Sequence, residues 1–340
     1  MTTHFLRALT GPDAVNFLAT VWRDLYAQDE LATPFQSSEW LTGWARQLPA
    51  AITPLVLTAV SATGRPLAAL ALARESGRRS RVFPLSAPMA EYIRPVGPCA
   101  DEMAATFGFH LVLLAEHGIA VEMTDVPAAS GLGRYLRRTC QDPSWGGKSS
   151  EGARCPLPIA FETLSRSTHK SHQRRIRTWS ALVREGRVRY TRTHSTWELL
   201  NAYSILARLQ DDRGNRPIPL PDTRPAPALN VHWRDVLAIV GAAGAFIATL
   251  AVDDVAVAAR LCLVRGKGAY SVIHAMDPAH RHRAPGHALM RYLTDDLSSD
   301  GFRTLDLGRT QPGERADKSA YRPEWTGTIS AVSAAPAAAA

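Results

Sequence analysis

Towards its C-terminal end the chain reads Arg281-His282-Arg283-Ala284-Pro285-Gly286-His287-Ala288, directly before a stretch with the apolar spacing of a helix. Proline suits the first helical position, where its missing N–H leaves nothing unpaired. Glycine lets a ligand come close to the backbone. The N–H groups of Gly286, His287 and Ala288 would then point out of a helix N-terminus, where the helix dipole favours an anion such as a pyrophosphate. Arg281 and Arg283 would add charge-assisted contacts. The plainer alternative is a Pro-initiated helix entered by a solvated basic loop; the strand before the string and the helix after it favour the phosphate site.

That loop needs elements to hold it. Three apolar strands, 245–252, 255–264 and 269–275, lead into it; a helix at 286–299, a strand at 304–307 and a last strand near 327–332 follow. Upstream lie a basic helix over 161–186, the strand VRYTRTH, a helix at 196–212, a Pro-rich loop at 215–228 and a helix at 229–241. Residues 236–252 are 17 uncharged, mostly apolar positions, the short limit of a membrane span. Gly241, Gly244 and the change to β-branched residues read instead as a helix end, a turn and a buried strand.

Residues 141–158, rich in Gly, Ser and Pro, mark the clearest boundary. Before it, the spacing predicts a helix packed on a core within 1–30 and a second at 36–47, with Ser37 and Ser38 as N-cap candidates. Strands follow at 54–60, 66–73 and 82–85, then helices at 101–117 and 130–139 around an apolar strand at 119–126. Both halves place helices before a strand meander and then a helix and a strand. The expected fold is therefore α/β (α+β): two related domains in tandem, 1–150 and 159–332, each with a mixed central sheet flanked by helices, and a disordered tail at 333–340.

The composition, 46% hydrophobic and 21% charged over 340 residues, is that of a folded soluble protein and excludes disorder. Four separated cysteines form no C-x-x-C pair, so neither a zinc site nor a disulfide framework is expected; a reducing cytoplasm suits them. The N-terminus lacks the basic start and apolar core of a signal peptide. A net charge of +8 favours anionic partners without choosing among them.

Residues 257–325 resemble the GNAT superfamily, and within it the branch of cellulose-biosynthesis-type acetyltransferases and Fem-type aminoacyltransferases. The resemblance rests on Asp277-Pro278, the Ala284-Pro285-Gly286 turn, Gly301-Phe302, Asp306-Leu307-Gly308-Arg309-Thr310, the trailing Lys318, Tyr321 and Trp325, and the basic helix with Arg174, Arg175 and Arg177. It implies a splayed parallel strand pair through which a pantetheine or aminoacyl arm enters, and direct attack of a substrate amine on an activated carbonyl.

Such a reaction needs a base or water chain for the amine proton, a donor at the developing oxyanion and a proton for the leaving group. Asp306 and Tyr321 are the leading catalytic candidates, with His274 on its strand as a third. Asp306 has a structural alternative, an ion pair with Arg309 or Arg260. Arg309 and Lys318 are candidate substrate contacts; Tyr292 is as readily core, and Asp277 shapes its turn. Between Arg166 and Arg189 stand eight Lys/Arg residues and one Glu. Helical spacing places Lys170, Arg174 and Arg177 on one face, which is either solvated or a polyanion contact.

The expected activity is N-acylation from a phosphopantetheine thioester, an acyl-CoA or an acyl-carrier protein, with no permanently bound cofactor and no metal. The acceptor is an amine-bearing small molecule or peptide; an acidic carrier protein or tRNA is the expected macromolecular partner, and neither a membrane nor DNA is. Two alternatives stay open: an aminoacyl-tRNA-dependent transferase of Fem type, and a GNAT scaffold that binds a ligand without turnover.

Overall fold

The computed structural model describes residues 4–77, 80–87, 89, 91–159, 166–211, 233–310, 314–319 and 321–333. The chain gathers into two compact units, one holding the residues to Glu151 together with those from Thr326 on, the other running from Gly152 to Trp325. Thr326–Val332, expected in the C-terminal domain, thus cluster with the first unit. Residues 161–165 of the expected basic helix, the Pro-rich loop 215–228 and the tail from 334 lie outside the described residues.

The first unit comprises β1 (His4–Thr10), α1 (Gly11–Ala19), α2 (Val21–Ala27), α3 (Ser38–Ala45), β2 (Ile52–Ser61), β3 (Pro66–Glu75), β4 (Arg81–Pro84), α4 (Ala104–Glu116), β5 (Ala120–Pro127) and α5 (Gly131–Thr139). The chain leaves it through β6 (Trp145–Pro156) and returns in β12 (Glu324–Ser333). Its strands run in the order β1-β2-β3-β4-β5-β12, with β4 and β5 parallel. Ser37 caps α3, its side chain accepting from the Trp40 N–H.

Two segments depart from expectation. Residues 4–10, expected within a helix, form β1, paired antiparallel to β2 from His4–Ser61 to Thr10–Leu55. Its partners lie about fifty residues away, so local spacing could not reveal them, and an exposed Phe5 mimics the end of a helical stripe. Residues 145–156, read as boundary loop, are the strand β6. Its glycines and serines do not hinder a ladder made by the backbone, and Ala153 and Cys155 alternate inward around Arg154.

The second unit comprises the end of β6, then α6 (Arg166–Arg184), β7 (Val188–Arg192), α7 (Thr196–Asp211), α8 (Trp233–Gly244), β8 (Ala245–Val252), β9 (Val255–Arg265), β10 (Gly268–Met276), α9 (Pro285–Ser299), β11 (Thr304–Arg309) and α10 (Arg315–Ser319). Its strand order is β6-β11-β10-β9-β8-β7, antiparallel except for β10 beside β11. Leu289, Leu293 and Leu297 of α9 pack with Trp179 of α6 against Leu250, Ala258 and Cys262; each fully buried leucine contributes about 1.5–3 kcal/mol. At Gly241 the backbone turns to φ 64°, ending the helix where the sequence placed the turn, and every residue of β8 is buried. Among the described residues no helix is long and apolar enough to cross a membrane.

Candidate active site

The parallel pairing of β10 and β11 is short. It holds Gly268 to Thr304, Ala269 to Leu305 and Tyr270 to Asp306, and ends there. Just beyond, both strands lose regularity: the β9–β10 ladder skips Val272, and the β6–β11 ladder shifts between Asp306 and Arg309. Gly308, at φ 70°, makes the second irregularity possible. Two parallel strands thus part at the level of Tyr270 and Asp306.

After β10 the chain makes a 3-10 turn, Pro278–Arg283. Asp277 shapes it, accepting from the Ala279 N–H at 2.8 Å and contacting His280 Nδ1 at 2.9 Å. Ala284 is left-handed at φ 50°, and Pro285 opens α9 without any side-chain cap. Among the three N–H groups expected to be free, those of His287 and Ala288 turn back to the Ala284 carbonyl, at 3.0 and 3.4 Å. Helical closure consumes them, because the N-cap carbonyl accepts the first intrahelical bonds, whereas the Gly286 N–H makes no hydrogen bond among the described residues. A Cβ on Gly286 would meet nothing nearer than Met276 Sδ at 4.0 Å, so the chain itself does not require glycine there. Arg281 and Arg283 form no ion pair among the described residues. The Arg283 carbonyl accepts from Trp179 Nε1 at 2.8 Å, which fastens α6 to the loop and leaves Lys170, Arg174 and Arg177 exposed.

Tyr321 is buried on the α9 side, its hydroxyl 3.0 Å from His287 Nδ1 and the two rings stacked. Asp306 is buried too. Its ion-pair partner is neither Arg309 nor Arg260 but Arg154 of β6, Nε to Oδ2 at 3.3 Å, while Oδ1 accepts from the Gly308 N–H at 2.8 Å. Arg154 also lies over the Tyr270 ring. Arg154, Asp306 and Tyr270 are therefore cross-strand neighbours on three successive strands. Sequence reading missed Arg154; its only signal was the alternation Ala153-Arg154-Cys155 inside a loop-like string.

Lys318, a candidate substrate contact, is engaged with the backbone. Its Nζ donates to the carbonyls of Leu307, Gly308 and Arg309 at 3.0, 3.1 and 2.7 Å, clamping α10 to the irregular end of β11. Arg309 is half-buried past the shift, opposite Gly152. His274 is exposed on β10, across from Arg260. Tyr292 stacks on Tyr190 at 5.7 Å as core packing. The structure thus brings Tyr321, His287 and Gly286 to one end of α9 and places Asp306 at the strand split, while Lys318 serves the backbone. Burial pushes the Cys155 thiol up to about 12, with Asp306 adding to the rise and Lys318 and Arg260 opposing it.

Residues 166–321 match the model of an acetyltransferase (GNAT) domain. No curated protein matches the sequence. Among solved structures, the chain is similar to FemX (TM-score 0.58, 10% identity, 96% of each chain covered). It is similar also to the C-terminal domain of a putative lysylphosphatidylglycerol synthetase from Agrobacterium fabrum (0.57, 16%, covering 94% of this chain and 91% of that one). A third is a tandem GNAT protein from the clavulanic acid biosynthesis pathway (0.53, 14%, 98% and 100%). At these identities the likeness is one of fold, and it spans both units. The split parallel strands, the Pro-Gly helix start beside them and the matched segment converge on an acetyltransferase (GNAT) domain over residues 166–321, and the chain is an acyltransferase of that class.

Proposed function

We propose that the second unit transfers an acyl group from a phosphopantetheine thioester to a substrate amine. The observation that carries this reading is the parting of β10 and β11 beside an α9 N-terminus that keeps a glycine it does not itself need. A pantetheine arm fits between parted strands, and the pyrophosphate of CoA, or the single phosphate of a carrier protein, meets the Gly286 N–H with Arg281 and Arg283 alongside.

In this reading the amine nitrogen attacks the thioester carbonyl carbon, the C–S bond breaks, and the amine's proton leaves to solvent. Asp306, buried where β10 and β11 part, orients the incoming amine. Val272, skipped by its ladder, offers a backbone N–H to the oxyanion. Tyr321 protonates the leaving thiolate and is restored through His287; exposed His274 belongs to the water path that takes the amine's proton. Arg309, past the strand shift, contacts the acceptor. Free cysteines and the expected donors suit the cytoplasm.

A second reading rests on α6. Its exposed Lys170, Arg174 and Arg177 sit on a helix tied to the anion loop by Trp179, and such a face also suits the phosphates of an aminoacyl-tRNA or the acidic surface of a carrier protein. Acetyl-CoA, an acyl-carrier protein and an aminoacyl-tRNA, each assayed with a pool of amines, separate these donors. Gly286→Trp is expected to raise the KM for the thioester at least tenfold with unchanged circular dichroism. A normal KM in that variant would remove the assigned phosphate site, and tight donor binding without turnover from any donor would favour a binding scaffold.

A further inference from the structure

Arg260 is a partly buried cation with no counter-charge among the described residues. It lies in the middle of β9, a strand buried nearly along its whole length. On the face it shares with Cys262, its Nη1 donates to Ser271 Oγ at 2.5 Å, and its side chain forms no other hydrogen bond among the described residues. Its Nε is buried without an acceptor, and no carboxylate comes within ion-pair distance among the described residues. The groups that influence it electrostatically are the Cys262 and Cys155 thiols, the Tyr321 hydroxyl and, most weakly, Glu314. Glu314 is already engaged, its Oε2 3.5 Å from Lys318 Nζ.

Desolvating a guanidinium without a counter-charge is costly. A fold that needed only to fill the position would do better with an apolar side chain of similar size. Arg260 also stands where the reaction would occur: its hydrogen-bond partner Ser271 is the residue before the skipped Val272, and Tyr321 is among its neighbours. The phosphate of the donor is accounted for at the other end, by Gly286, Arg281 and Arg283. What is missing beside Arg260 is a small planar anion that accepts two parallel N–H bonds.

We propose that Arg260 is a substrate-specificity residue that pairs with a carboxylate carried by one of the reactants, so that the enzyme handles an acidic acyl group or an amino-acid-like acceptor in preference to its uncharged counterpart. The proposal rests on the thioester reading above, and its test separates the two. Isothermal titration of the full chain compares succinyl-CoA with butyryl-CoA, and, with CoA bound, alanine with alaninamide. In one of these pairs the carboxylate-bearing member is expected to bind on the order of tenfold to a hundredfold tighter, as for a charge-assisted hydrogen-bonded pair. The pair that responds identifies the source of the carboxylate.

In Arg260→Met that ratio is expected to fall to about one, and in Arg260→Lys to an intermediate value, because an ammonium supplies the charge without the planar fork. Removing an unpaired buried charge is expected to leave the melting temperature unchanged or raised, so loss of fold is not at issue. Failure of CoA itself to bind would overturn the thioester reading; the alanine–alaninamide pair, titrated into the unliganded chain, would then decide the Arg260 proposal alone. Equal binding within both pairs, or a ratio that survives Arg260→Met, would overturn the proposal.

Discussion

Each unit contains one parallel strand pair that parts almost as soon as it forms, and the two are treated differently. In the first unit β4 and β5 pair only at Arg81–Ala120 and Val82–Val121. The chain from Leu85 to Met103 then folds back over that region. The Ile93 N–H donates to the Asp125 carbonyl at 3.1 Å, Val96 exchanges two 2.8 Å bonds with Ala69, and the Cys99 N–H reaches the Leu67 carbonyl at 3.3 Å. Arg94 Nη1 donates to both carboxylate oxygens of Asp29, at 2.8 and 2.9 Å, both side chains buried. Gly97, at φ 135°, is needed here because a Cβ would lie 2.6 Å from the Leu67 carbonyl oxygen. In the second unit only Asp277 to Ala284 separate β10 from α9. The same strand geometry is covered by backbone in one unit and, in the other, opens where the proposed reaction is placed; what differs is whether the connection after the strand is long enough to fold back over the opening.

That contrast can be broken at three points, beginning with the largest effect. Asp29→Ala leaves the buried Arg94 guanidinium with only Asp101, 3.8 Å from its Nη2, and should lower stability by up to about 3–5 kcal/mol in denaturant melts while the donor KM of the folded fraction stays at its wild-type value. If stability changes little, the first unit is not held shut by this pair.

Tyr321→Phe keeps the ring against His287 and removes the proton donor. An expected fall of about a hundredfold in kcat with little change in KM would mark it as catalytic. The loss should shrink with a thioester whose leaving thiol is more acidic, a dependence that a packing role would not produce.

The smallest effect concerns alkali. Cys155 and Cys262, both of the second unit, are pushed up to about 12 by burial. The unfolded chain ionises first, so their contribution is complete below pH 8.5–9 and is lost progressively as pH rises towards 12. Replacing both by alanine should flatten the stability–pH curve in that window. An unaltered curve would mean that the alkaline loss arises elsewhere.

Local patterns carried much of this. Pro285-Gly286 announced a helix start, Gly241 a helix end, and the β8–β10 run a buried meander, because backbone angles and apolar periodicity are properties of neighbouring residues. Asp277 was legible for the same reason, as its carboxylate bonds within its own turn. The strands β1 and β6 were not, since their partners lie far along the chain. Nor was the ownership of charges: Asp306 seemed to face Arg309 or Arg260, its neighbours in sequence or motif, and pairs instead with Arg154.

The sequence by itself determined the class of fold and the helix start at Pro285-Gly286. Only the tertiary structure decided that Lys318 meets three carbonyls, that the His287 and Ala288 N–H groups turn back to Ala284, and that Arg260 has no counter-charge among the described residues. Those outcomes depend on which polar groups meet across strands, and hydrogen bonding and desolvation are settled by neighbours in space.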